Sequence, residues 1–136
     1  MPRLFARFLL PMLLAELIAA CGGAPAMTVA PAQIDFGAIP ADNPVSTTIQ
    51  VYNQGTAALR IDNVRTSCGC TTATLSSTTV AAGAAVDLQV TFDPQAHPGL
   101  YGPLLRIVYL SSNDPAQPEL EIPVSVEILA PKEAHS

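Results

Sequence analysis

An all-β sandwich of immunoglobulin size is the fold class that the 136-residue sequence predicts, and three observations predict it. Apolar side chains recur at every second position in one run after another, the period that puts one face of a strand in a core and the other in water. Clusters of glycine, proline, asparagine and aspartate separate these runs at the short intervals of a sandwich. No stretch after Cys21 carries the 3.6-residue stripe of an amphipathic helix.

Before the strands stands an export segment. Arg3 and Arg7 make a positive start, an apolar stretch runs on from Phe8, and small residues lead to Cys21, the pattern of a secretory signal. Ile18-Ala19-Ala20-Cys21 resembles the bacterial lipoprotein signal, in which the chain is cut before a cysteine carrying a diacylglycerol. Pro11 and Glu16 interrupt the only run that approaches the roughly 20 apolar residues of a membrane span, and Arg3 and Arg7 are not the adjacent pair of the twin-arginine route. The expected organisation is a signal peptide over 1–20, a lipidated Cys21 with a short tether over 21–26, one domain over 27–130 and a disordered tail over 131–136. The protein is then expected on the periplasmic or cell-surface side of a bacterial membrane.

Cleavage before Cys21 leaves 116 residues, enough for one domain, with four basic against ten acidic residues and a formal charge of −6. That balance disfavours nucleic acid and anionic membrane surfaces as partners, so the acyl chains must supply the attachment.

The strands follow in order. Val45, Thr47, Ile49 and Val51 alternate with polar neighbours, and the turn NQGTA (53–57) ends the run. Leu59 to Val64 forms the next strand, then comes SCGCT (67–71), and AAGAA (81–85) precedes Val86, Leu88, Val90 and Phe92. DPQAHPG (93–99) is another turn, and Leu104 to Leu110 is apolar on both faces, with Val108 and Leu110 on one and Leu105, Ile107 and Tyr109 on the other. Such a strand belongs in the middle of its sheet. SNDPAQP (112–118) is a turn, in which Asn113-Asp114-Pro115 reads as turn chemistry in preference to a cation site. Leu120, Ile122, Val124, Val126 and Ile128 form the last alternating strand, whose outer glutamates Glu119, Glu121 and Glu127 read as a solvated face.

PAQIDFGAIP (31–40), VYNQGTAALRIDNVRTSCGCT (51–71), VTFDP (90–94) and SSNDPAQPELEIPVSVEI (111–128) resemble the bacterial DUF1573 family. That family is similar to the immunoglobulin-like ASH and major-sperm-protein-type domains. The resemblance implies a sandwich of seven to nine strands in exported, often lipid-anchored proteins, and no known activity. It places SCGCT after the third strand of the immunoglobulin order. In that topology Cys68 and Cys70 should meet the DPQAHPG loop with His97, and the C terminus brings His135 toward the same end. The first strand enters from the opposite end, which turns the cysteine end away from the membrane.

Cys68 and Cys70 have three readings. As a disulfide they close so small a loop that chain entropy gives only about 1–2 kcal/mol, a lock on a turn. As a metal clip, two thiolates with His97 or His135 suit copper(I) or contribute to a zinc site, but ligands are sparse. As a redox centre, a tight C-x-C disulfide is a ready oxidant, without the helix start that usually depresses a thiol pKa. The turn lock is adopted, with copper or thiol-redox handling as the alternative.

No nucleophile elbow, phosphate loop or zinc-protease motif occurs, and tryptophan is absent, so an enzyme or a carbohydrate platform is disfavoured. The expectation is a non-enzymatic interaction or structural module without a cofactor, tethered by lipid and meeting an envelope protein partner. Its candidate contact surface is Leu105, Ile107 and Tyr109, unless long side chains such as Arg60 or Arg106 cover it.

Overall fold

A computed structural model of the chain describes residues 23–132. Nine strands form among the described residues: β1 (Met27–Ala30), β2 (Ile34–Pro40), β3 (Val45–Asn53), β4 (Leu59–Thr66), β5 (Thr71–Leu75), β6 (Thr79–Val80), β7 (Ala85–Phe92), β8 (Gly102–Ser112) and β9 (Glu119–Leu129). The helical content of the described residues is one short 3-10 turn, Pro94–Ala96.

The strands make two sheets, β1-β3-β7-β5 and β2-β9-β8-β4-β6. Period-two patterning explains why they face each other. Ile49, Val51, Leu88 and Val90 point inward from one sheet, and Val108, Leu110, Leu120, Ile122 and Val124 from the other, all buried. Fully burying one such side chain is worth about 1.5–3 kcal/mol, so this shared core dominates the stability. As its two-sided apolar pattern requires, β8 is the central strand of the five, between β9 and β4.

The parallel pairing of β2 with β9 shifts register between Asp35 and Ala38. Gly37 makes the shift possible: its φ of 68° lies in the left-handed region, and its N–H donates to Asp35 Oδ1 at 2.8 Å.

Chain direction then sorts the loops. The links β2 to β3, β4 to β5 and β7 to β8 gather at one end together with the end of β9, and a second apolar cluster of Ile39, Cys70, Phe92, Val126 and Ile128 plugs the sandwich there. Residues 23–26, which lead into β1, and the β3–β4, β6–β7 and β8–β9 links lie at the other end.

Candidate functional site at the cysteine end

The turn between β4 and β5 carries the chain from one sheet to the other, and its backbone is fastened on both sides. Ser67 N–H donates to Ile107 C=O at 2.9 Å, and the Ser67 hydroxyl accepts from Ile107 N–H at 2.9 Å, hanging the turn on β8. Asp93 N–H donates to Cys70 C=O at 2.8 Å, tying it to the loop after β7. Asp93 also caps the 3-10 turn by accepting from Gln95 N–H, with Pro94 in the first turn where no N–H is needed. This short rigid turn delivers His97 to the cysteines.

Cys68 and Cys70 form a disulfide across two positions, with their Cα atoms 5.2 Å apart. The two sulfurs have different surroundings. Cys70 is 3% exposed and packs in the apolar end cluster, whereas Cys68 is half-buried at its rim. Cys68 Sγ lies 3.3 Å from His97 Nε2 and accepts from Cys70 N–H at 3.2 Å. Cys70 Sγ accepts from Arg106 Nε at 3.4 Å and has the Thr71 hydroxyl at 3.7 Å.

Sequence reasoning missed Arg106 as a member of this site and offered it as cover for the outer face of β8. Strand alternation holds the correction, since Arg106 shares parity with Leu104, Val108 and Leu110 and so points to the core side. A charged group there needs a partner, and the sulfur and the Leu105 carbonyl, 2.9 Å from Nη1, serve as two.

The ligand atoms of Cys68, Cys70 and His97 all lie within 4.8 Å of one another. Two thiolates and an imidazole suit a low-coordinate soft cation such as copper(I), while no fourth ligand for zinc joins this cluster among the described residues. Sulfurs bonded to each other offer no thiolate, so reduction must precede any such binding. His135 and Cys21 lie outside the described residues.

The opposite end is closed by two buried polar residues that sequence reading took for ordinary turn chemistry. Asn53 Oδ1 accepts from Ala26 N–H at 3.1 Å, and its amide donates to Ala57 and Val80 carbonyls at 2.8 and 3.0 Å. Asp114, 4% exposed, accepts from Met27 N–H at 2.8 Å, Ala116 N–H at 2.9 Å and Gln117 N–H at 3.2 Å. Burial pushes its carboxyl pKa up, but these three backbone donors outweigh burial and hold it below the ordinary value. Gly55 is required here by space, because a Cβ on it would stand 2.1 Å from Ala24 C=O. The start of the domain is thus clamped at Ala26 and Met27, far from the cysteines.

The family model for a protein of unknown function, DUF1573, matches residues 27–126. The chain belongs to the DUF1573 family. A search of curated proteins finds no match to the sequence. Among solved structures, it is similar to a protein of unknown function from Porphyromonas gingivalis, with 25% identity and a TM-score of 0.70 over 76% of this chain and 46% of that one. The chain therefore spans about half the length of that relative. An ASH/PapD-like domain of human CEP192 matches with 10% identity and a TM-score of 0.60, covering 80% of this chain and 89% of that one. The major-sperm-protein-domain protein SSP-19 of Caenorhabditis elegans matches with 16% identity and a TM-score of 0.53, covering 74% and 98%. At such identities the last two establish the immunoglobulin-like fold alone.

On the outer face of the larger sheet of this DUF1573 domain, Leu105 is 61% exposed while Ile107 and Tyr109 are partly covered. Arg106 turns inward to Cys70 Sγ instead of covering them. Arg65, paired with Tyr109 across the β4–β8 ladder, lies over the tyrosine ring at 3.8 Å and is held there by Glu119 at 3.1 Å. Glu119 is thereby more than a solvated residue of its strand. Glu121 and Glu127 are exposed on β9 beside the strip.

Proposed function

We propose that this DUF1573 domain is a non-enzymatic interaction module, exported and held at a bacterial membrane by a lipid on Cys21. The observation that carries the proposal is the polarity of the sandwich: the tether enters at the Asn53–Asp114 end, and the SCGCT turn lies at the other. An acyl anchor on Cys21, two residues before the described region, holds the first end toward the bilayer and presents the cysteine end outward. Its partner is an exported protein that meets the outer face of β8. A 61% exposed leucine in a central strand, with Ile107 beside it and Glu121 and Glu127 along the neighbouring strand, suits an apolar strip rimmed by basic residues.

Two measurements test the proposal. Cys21→Ser should release the chain from the membrane fraction or leave it unprocessed, and unchanged anchoring with unchanged cleavage overturns the lipid. A photocrosslinking residue at position 105 should capture one exported protein, and adding Glu121→Lys and Glu127→Lys, both exposed on the neighbouring strand, should lose that product without lowering thermal stability. No product from position 105, beside a positive control at another site, overturns the interaction face.

A further inference from the structure

We propose that the Cys68–Cys70 disulfide is an exchangeable one that takes two electrons from a dithiol in an exported polypeptide, with Cys68 the sulfur attacked and Cys70 the sulfur displaced. The choice of an exported partner rests on the anchoring proposed above, whereas the sulfur chemistry stands on the loop geometry alone.

Access assigns the first role. Cys70 is 3% exposed, sealed by Phe92, Ile39, Val126 and Ile128, and an incoming thiolate meets the half-buried Cys68 at the rim. The turn crowds this approach little, since a Cβ placed on Gly69 would meet nothing within 4 Å. Charge assigns the second role. A displaced sulfur leaves as an anion, which an apolar cluster by itself would penalise. Here Arg106 Nε stands 3.4 Å from Cys70 Sγ, with the Thr71 hydroxyl behind it, so the anion forms against a guanidinium already in place. A lock meant only to hold a turn needs no cation on its buried sulfur.

The step balances as follows. A partner thiolate attacks Cys68 Sγ, a mixed disulfide forms, the Cys68–Cys70 bond breaks, and Cys70 carries the electron pair away beside Arg106. The partner's second thiol, deprotonated, then attacks the partner sulfur of the mixed disulfide. The partner's own disulfide forms and Cys68 leaves as a thiolate, with Cys70 N–H at 3.2 Å and His97 Nε2 at 3.3 Å to receive it. The partner is oxidised by two electrons, the pair is reduced, and the two thiol protons pass to the cysteines and solvent. The exchange is stoichiometric, one disulfide per chain.

Equilibrating the full chain in glutathione buffers of graded ratio tests this. Quenching with maleimide and weighing the tryptic peptide that begins at Thr66 reads the pair: it ends at Arg106 in the wild type and at Lys132 once Arg106 is Met, and either form holds both cysteines and excludes Cys21. The wild type should pass from oxidised to reduced within the glutathione range. Arg106→Met should require a roughly tenfold more reducing ratio, which is about 30 mV for two electrons, and Arg106→Lys should recover most of it. With one cysteine of the pair removed, glutathione disulfide should label Cys68 in Cys70→Ala at least about tenfold faster than Cys70 in Cys68→Ala, read on the same peptide so that Cys21 does not contribute. A pair that stays oxidised throughout, an unchanged midpoint in a folded Arg106→Met, or equal labelling of the two cysteines overturns the proposal. Should Arg106→Met fail to fold, the comparison of Cys70→Ala with Cys68→Ala decides with Arg106 intact.

Discussion

Replacing Asp114 with Asn should destabilise this small domain, and the structure says how much. Asp114 Oδ1 accepts from Ala116 and Gln117 N–H within its own turn, while Oδ2 alone accepts from Met27 N–H, 87 residues away. An asparagine that keeps the turn bonds through its carbonyl oxygen sets an NH2 against the Met27 N–H and leaves that buried donor unpaired, at a cost of about 1–3 kcal/mol. Loss of the charge weakens the two remaining bonds as well, and the whole comes to roughly 2–3 kcal/mol at pH 7. For a domain of about 100 residues this lowers Tm by roughly 10 °C.

The effect carries a pH signature with a defined sign. The folded carboxyl titrates below its unfolded value, so its contribution is complete above the unfolded pKa and disappears as pH falls through the folded pKa. The gap between wild type and variant should therefore be full from about pH 5 upward and shrink below about pH 4. Urea unfolding followed by circular dichroism at several pH values measures it. A gap under about 0.5 kcal/mol at pH 7, or one that persists unchanged in acid, refutes the clamp.

Gly37→Ala should cost about 1–2 kcal/mol in the same assay, because φ is 68° there, whereas Gly69→Ala, between the cysteines but neither at positive φ nor crowded, should stay within about 0.5 kcal/mol. Equal losses at the two positions refute that contrast. Cys68→Ala with Cys70→Ala should lower stability by about 1–2 kcal/mol, and a loss above about 4 kcal/mol by denaturant unfolding would make the pair a cornerstone of the fold. Copper(I) should be retained only after phosphine reduction, with the double-alanine chain as control; retention by the untreated chain, read by native mass spectrometry, contradicts the bonded state.

Much of the molecule was legible in the strand period, because a period of two needs only nearest neighbours along the chain. Alternation at Val45 to Val51, Val86 to Phe92 and Leu120 to Ile128 fixed which faces are buried, and the two-sided run Leu104 to Leu110 fixed β8 as a central strand. Joined to the family resemblance, it also brought SCGCT and DPQAHPG to one end and sent the start of β1 to the other. Contacts across loops and between side chains were decided only by tertiary structure. Asp114 reads as a turn residue because two of its three bonds are local, and its third, to Met27, exists only once β1 docks. Arg65 covers Tyr109 because a register shift between Ile61 and Asn63 sets Arg65 opposite that ring, an offset that periodicity does not encode. Parity put Arg106 on the inner face, but only the crossing of β4 to β5 over the sandwich end brought a sulfur to meet it. A lone charge in a core-facing row marks a site in the sequence, and the group that neutralises it is chosen by packing.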